Sequence, residues 1–174
     1  MTVTSPMTSE QQALFERIWA FPFDESPVVV SFAARLARDN GWSIGFTARV
    51  ISEYRRFVFL AVAARHPVSP SDQVDQVWHL HLLYTDSYWT RFCQNTLSMA
   101  LHHHPTRGGD AEREKFHGWY AKTLDSYRRF FLAEPPADIW PAAHVRFGED
   151  IHYQRVNTAR YWLVRKPWTR GARQ

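Results

Sequence analysis

Apolar side chains recur every three or four residues through several long segments of this chain. After residue 110, Phe116, Tyr120, Leu124 and Tyr127 follow one another at spacings of four, four and three. This period matches the 3.6 residues of a helical turn and gives each helix one buried stripe. The pattern therefore predicts an all-α protein: a single-domain helical bundle of five or six helices with an irregular C-terminal tail.

The length and composition limit the chain to one domain. It has 174 residues, of which 45% are hydrophobic and 16% aromatic, enough to bury one large core and too few residues for two ordinary domains. We expect a disordered N-terminus at residues 1–8, a helical domain at 9–147, and a basic aromatic tail at 148–174 that packs partly on the domain.

Polar residues predict where the helices begin. Ser9 and Gln12 have the form of a capping box before the first apolar repeat. Further along the chain, Ser69 followed by Pro70 marks the start of another helix, in the segment SPSDQVDQVWHLHLL. We expect the helix near residues 44–64 and the helix near 110–132 to pack around this segment.

The histidines of this segment have different surroundings. On a helix, residues two apart point about 200° away from each other, so His79 and His81 face opposite sides. His81 falls with Trp78 on the apolar side and is expected to be a hydrogen-bonded core histidine, whereas His79 shares a polar strip with Asp75. A strand is the alternative, because His-x-His on one strand face is a metal-binding arrangement.

A second group of histidines lies in the segment LHHHPTRGGD, which proline and glycines predict to be a loop. Together with Asp75 and His79, the loop residues His102 and His103 form a candidate metal site. Histidine and carboxylate ligands suit zinc, non-haem iron or manganese. The alternative is a hydrogen-bonded cluster in which the aspartate accepts from a histidine and pins the loop to the helix.

Cys93 is the single cysteine of the chain. It excludes an internal disulfide, and without a second thiolate a cysteine-rich zinc site is excluded as well. Cysteine, histidine and aspartate together can also form a catalytic triad in which the cysteine is the nucleophile. Because no activating partner can be named from the sequence, a small buried hydrophobic role is favoured for Cys93.

Neither a signal sequence nor a membrane span is visible. The N-terminus MTVTSPMTSE lacks a basic segment followed by an apolar run, and no window reaches the roughly 18 apolar residues of a transmembrane helix. We therefore expect a cytoplasmic protein without a membrane span.

Basic charge is concentrated near the C-terminus. The net charge is +4, and all 17 acidic residues lie at or before Asp150. The tail interleaves aromatic residues with cations that are candidate contacts to nucleic acid or another anionic surface: Arg155, Arg160, Arg165 and Lys166. The alternative is that arginine stems and aromatic rings pack the tail over the domain.

The segments PVSPSDQVDQVWHLHLLYTDSYWTRFC, LHHHPTRGG and PPADIWP resemble bacterial glycine-rich domain-containing proteins, which are related to the plant glycine-rich domain proteins. The resemblance covers residues 50–147. The positions that match its motif are Asp75, Trp78, His79, His81, Tyr88, Cys93, His102, His103 and Pro105. It implies a helical module, here without a glycine-rich segment, and implies no particular reaction or cofactor.

Three functions follow as hypotheses from the sequence. The first is a non-catalytic protein-interaction module, in which a structural His/Asp cluster holds the loop and exposed aromatic residues bind a protein partner. The second is a metal-binding helical domain, which would be a metal-dependent enzyme if an open coordination position receives a substrate. The third is nucleic-acid binding through the basic tail.

Overall fold

The computed structural model describes residues 7–24, 28–104, 106–147, 162 and 164. Within these ranges all regular structure is helical, which confirms the predicted all-α fold. The elements are α1 (Ser9–Ala20), α2 (Phe32–Asn40), α3 (Ile44–Ala63), α4 (Asp72–Leu83), a π-helix (Ser87–Leu97), α5 (Asp110–Phe131) and α6 (Ala143–Arg146). The predicted five or six helices correspond to the six longer elements, and the four-residue α6 is additional.

Helix α3 lies at the centre of the bundle. Its side chains Val50, Tyr54, Val58 and Leu60 are fully buried, and a helix that is apolar on most of its circumference needs neighbours on several sides. Helices α1, α2, α4 and α5 all pack against it. Helix α3 packs against α4 as expected, whereas α5 packs against α3 rather than mainly against α4.

Helix α1 begins with a capping box that lies one residue before the predicted one. The hydroxyl of Thr8 accepts a hydrogen bond from the Gln11 backbone N–H, and the Gln11 side chain accepts from the Thr8 N–H. Ser9 and Gln12 are therefore already inside the helix. Residues 1–6 of the predicted disordered N-terminus lie outside the described residues, whereas Met7 packs against the core.

Helix α4 also starts later than its sequence predicted. Its N-cap is Ser71, whose hydroxyl accepts from the Val74 backbone N–H at 3.2 Å. Ser69 instead donates its backbone N–H to the Thr123 hydroxyl on α5. Pro70 thus lies before the helix, and the polar contact with α5 fixes the chain that leads into α4.

The segment between α4 and the histidine-rich loop is a π-helix. Its buried residues include the pairs Tyr88–Cys93 and Phe92–Leu97, each five residues apart, which suits the wider turn of i→i+5 hydrogen bonding. The helix ends at Ser98 in the left-handed conformation, with φ at 58°.

A buried carboxylate fastens the segment after α5 to the centre of the bundle. Glu53 of α3 accepts hydrogen bonds from the Trp140 indole at 2.9 Å, the Tyr127 hydroxyl at 3.3 Å and the Arg56 guanidinium at 2.5 Å. Its partners satisfy a charge that would otherwise be costly to bury. The chain that continues to α6 is therefore held against α3.

The predicted basic tail is outside the described residues apart from two exposed positions, Trp162 and Val164. The four candidate anion contacts Arg155, Arg160, Arg165 and Lys166 also lie outside them. Over the part of the chain that is described, none of the helices has both the length and the apolar character needed to cross a bilayer.

Candidate metal centre

Helix α4 places two polar side chains one turn apart on its less buried side. Its apolar side is covered, with Val74, Val77 and Trp78 at 6% exposure or less. Asp75 and His79 are on the other side, where the Asp75 side chain is 18% exposed and that of His79 is 49% exposed. The helical conformation also excludes the strand alternative for this segment.

The loop before α5 adds a third polar side chain to this pair. The His103 Nε2 atom lies 2.9 Å from Asp75 Oδ1, and the His79 Nε2 atom lies 3.7 Å from Asp75 Oδ2. The three residues each offer a ligand atom, and these atoms all lie within 4.8 Å of one another. We call this group the Asp75–His79–His103 cluster.

Two buried contacts hold the loop in this position. The Trp78 indole N–H donates to the Tyr88 hydroxyl at 2.8 Å, and that hydroxyl donates to the Leu101 carbonyl. The Trp78 ring also lies edge-on to His103, with 4.6 Å between ring centroids. Trp78 and Tyr88 thus connect α4 and the π-helix to the loop that carries His103.

The neighbouring histidines take no part in the cluster. His102 is exposed and its ring lies 5.3 Å from that of Trp89, on the π-helix. His104 lies next to His102, with ring centroids 6.0 Å apart. Of the four proposed metal ligands, the structure therefore brings three together and leaves His102 apart; Pro105 lies outside the described residues.

His81 is on the opposite, fully buried side of α4, as its sequence predicted. Its Nδ1 atom is 3.1 Å from the Tyr54 hydroxyl, and its Nε2 atom is buried without a hydrogen-bond partner. Burial, with a contribution from Arg91, lowers the pKa of His81 to about 3. The residue is therefore neutral and is packed among aromatic rings, including Phe92 at 5.0 Å.

Cys93 is buried in the same core, at 1% exposure. Burial raises the pKa of its thiol, which opposes formation of the thiolate that a nucleophile requires. This environment favours the packing role over the catalytic one.

A cleft of about 1220 Å³ opens beside the cluster. Asp75, His79 and His103 line it together with residues from the loop before α5, from the first turns of α5 and from α6. Cationic side chains that were not singled out in the sequence line it: Arg107, Arg113, Lys115 and Arg146. The run AEREK directly after the loop could have indicated Arg113 and Lys115, whereas Arg146 reaches the cleft only through tertiary packing.

The Asp75–His79–His103 cluster has the donor types of a metal centre. Two imidazoles and one carboxylate occur in catalytic zinc sites and in the 2-His-1-carboxylate sites of non-haem iron enzymes. Around an ion with bonds of about 2.0 Å, ligand atoms of a tetrahedron lie about 3.3 Å apart. The separations of 2.9 Å between Asp75 Oδ1 and His103 Nε2 and of 3.7 Å between Asp75 Oδ2 and His79 Nε2 are of this size.

Comparison with known proteins identifies one family. The family model described as UCP032817-like matches residues 34–120, which are half of the chain. The matched region contains all three residues of the cluster. No curated protein and no solved structure matches the chain.

Proposed function

The chain belongs to the UCP032817-like family, and on that premise we propose that this protein is a metal-binding helical domain. Asp75, His79 and His103 hold one divalent transition-metal ion, zinc or ferrous iron. The observation that carries the proposal is the convergence of three ligand atoms within 4.8 Å of one another. The resemblance to bacterial glycine-rich domain-containing proteins and the cytoplasmic location remain predictions.

His79 favours a metal site over a purely structural cluster. The hydrogen bond between Asp75 and His103 is sufficient to pin the loop to α4. His79 adds nothing to that bond, because its Nε2 atom at 3.7 Å is beyond hydrogen-bonding distance from Asp75. Its imidazole nevertheless faces the same cleft as the other two side chains, as a third ligand does.

The cleft allows such an ion to take part in chemistry. Three protein ligands leave at least one coordination position for water or a substrate, and an ion bound in this way acts as a Lewis acid or lowers the pKa of a bound water. Because the cluster forms part of the cleft wall, an ion there is accessible to a ligand in the cleft. The domain would then be a metal-dependent enzyme.

A protein-interaction module is the second candidate function. The hydrogen bond from His103 to Asp75 supports it, because it fixes the loop without an ion. Exposed apolar side chains near this part of the fold, Leu83, Trp89 and Met99, offer a contact surface. In this case the histidines have a structural role and the partner is another protein.

Elemental analysis of untagged protein tests the proposal. The wild type is purified without a chelator, dialysed against zinc or anaerobic ferrous iron, and compared with His79→Ala, His103→Ala and His102→Ala. We expect about one equivalent of metal in the wild type and in His102→Ala. The two cluster variants should hold much less, because each loses a ligand.

His102→Ala is the matched control, since it removes a histidine from the same loop without touching the cluster. Circular dichroism confirms that each variant is folded. If the wild type holds no metal after dialysis against zinc and after dialysis against ferrous iron, the metal proposal is contradicted. If His103→Ala then also melts at a lower temperature than His102→Ala, the structural role of the cluster is supported.

A further inference from the structure

The lining of the cleft beside the cluster is rich in guanidinium groups. Arg107, Arg113 and Arg146 line the cleft together with Lys115. Lys115 is already paired, because its ammonium lies 2.6 Å from a Glu112 carboxylate oxygen. For the three arginines, no ion pair with a described carboxylate lies within 4.0 Å.

Most carboxylates in the cleft are already engaged. Glu112 accepts from Lys115, from the Arg107 backbone N–H and from the Thr106 hydroxyl, and these bonds lower its pKa to about 2. Asp75 belongs to the cluster. Among the described residues of the cleft, Asp110 is then the remaining carboxylate, against three guanidinium groups.

Arg146 is the most constrained of these cations. Its guanidinium stacks over the Phe147 ring at 5.3 Å from the centroid, and its Nε atom is buried without a hydrogen-bond partner. Arg146 also lines the cleft, and a guanidinium group carries several N–H donors in a planar fork. Its terminal nitrogens can therefore donate to an anion in the cleft.

We propose that the cleft binds a phosphorylated organic molecule, whose phosphoryl group lies between the cluster and Arg146. The inference rests on the proposed metal site, because the ion supplies part of the positive charge that the phosphoryl group meets. Three guanidinium groups and a divalent ion suit a dianion better than a singly charged carboxylate. The ligand is therefore a phosphate ester or phosphonate.

The size and the lining of the cleft indicate the rest of the ligand. A volume of about 1220 Å³ far exceeds that of a phosphate ion and lies above the range of ordinary small-molecule sites. The half-buried rings of Phe116 and Trp119 line the same cleft. They provide an apolar surface for the organic part of the molecule, next to the charged end.

Calorimetric titration with phenylphosphonate tests the inference on metal-loaded protein. At mildly alkaline pH this probe carries mainly a phosphonate dianion, which cannot be hydrolysed, together with an apolar ring. We expect binding that weakens by about tenfold or more in Arg146→Gln, since a charge-assisted hydrogen bond is lost. Benzoate, with one negative charge, should bind less tightly than phenylphosphonate.

Two variants make the test specific. Arg129→Gln is the matched control, because Arg129 also stacks over the following phenylalanine but does not line the cleft, and it should bind the probe like the wild type. Arg113→Gln removes an exposed cation of the cleft that has little part in folding. It should also weaken binding if Arg146→Gln proves to be unstable.

The outcomes separate this inference from the proposed function. Metal-loaded protein that does not bind phenylphosphonate overturns the inference and leaves the metal proposal intact. The same holds if benzoate binds equally well, or if Arg146→Gln and Arg113→Gln bind the probe like Arg129→Gln. A wild type that takes up no metal overturns the proposed function, and this inference with it.

Discussion

The indole ring of Trp78 lies edge-on to the imidazole of His103, with 4.6 Å between the ring centroids. Trp78 directly precedes His79 on α4, whereas His103 comes from the loop after the π-helix. The same indole donates to Tyr88, which holds the carbonyl of Leu101. Helix α4 therefore carries two of the candidate ligands and also positions the third.

The first prediction concerns the hydroxyl that holds the loop. Tyr88→Phe removes the acceptor for the Trp78 indole and the donor for the Leu101 carbonyl. We expect the free energy of unfolding to fall by about 1–3 kcal/mol. Metal affinity should fall by about tenfold, as for other residues that orient a ligand; urea unfolding and metal titration measure the two effects.

Tyr120→Phe is the control for this prediction. Tyr120 is also fully buried and donates to a backbone carbonyl, that of Pro141, at 2.8 Å. It should lose similar stability without any change in metal affinity. Equal metal affinities in the two variants would mean that Tyr88 does not position the site.

The second prediction links metal binding to stability. At a free metal concentration of about 100 times the dissociation constant, binding adds about 2.7 kcal/mol to the free energy of unfolding. For a domain of this size that corresponds to a rise in Tm of roughly 5–10 °C, which a chelator reverses. Calorimetric scans of the wild type with metal and with chelator measure this shift.

Asp75→Asn should lose the shift, because a neutral amide is a poor ligand. Asp125→Asn, at an exposed position of α5, removes the same charge away from the cluster and should keep it. An equal shift in the two variants would rule out Asp75 as a ligand.

The third prediction concerns the pH dependence of stability. His81 has a pKa of about 3 in the folded protein and about 6.5 when unfolded, so the unfolded state binds more protons between these values. Stability is therefore full above about pH 6.5 and falls as the pH decreases towards 3. From pH 8 to pH 5, His81 should account for a loss of about 2 kcal/mol.

Urea unfolding at both pH values checks this, with His81→Gln as the comparison. The glutamine side chain does not titrate, while the groups that face this position, Tyr54, Tyr88 and Arg91, are unchanged. The stability of the variant should therefore depend less on pH than that of the wild type. If the free energy of unfolding depended on pH equally in the two proteins, protonation of His81 would not destabilise the folded state.

The fourth prediction separates stability from function. Glu53→Ala leaves Arg56, Tyr127 and Trp140 without their common acceptor, and we expect a loss of about 3 kcal/mol in the free energy of unfolding. Asp39→Ala breaks an exposed ion pair and should cost about 0.5 kcal/mol or less. Chemical denaturation measures both, and metal content per folded molecule should not change in either.

The part of the site that could be predicted is the part that is local in sequence. Asp75 and His79 are one helical turn apart, so the period of α4 alone places them together and places His81 on the other side. The start of α4 was less predictable, because Ser69 and Ser71 are both hydroxyl residues. In the structure the Ser71 hydroxyl accepts the capping bond from the Val74 N–H, while the backbone N–H of Ser69 donates to Thr123 on α5.

The remaining part depends on contacts between distant segments. Nothing local distinguishes His102 from His103, since the choice follows from the way Trp78 and Tyr88 hold the loop. The position of Arg146 beside the cleft depends likewise on the hydrogen bond from Trp140 to Glu53, which holds the chain after α5 against α3. Such contacts leave no periodic pattern in the sequence. The sequence therefore indicated which residue types form the site, but not which of the candidate residues belong to it.

The hydrogen bond from Trp140 to Glu53 also determines where the polypeptide can be shortened. A fragment that stops at the end of α5 retains every residue of the cluster but loses Trp140 and the adjacent buried Ile139. It would leave a carboxylate in the middle of α3 with one fewer donor and an open apolar surface beside it. An expression fragment for isotope labelling or fusion should therefore extend past Trp140, even though the candidate ligands end at His103.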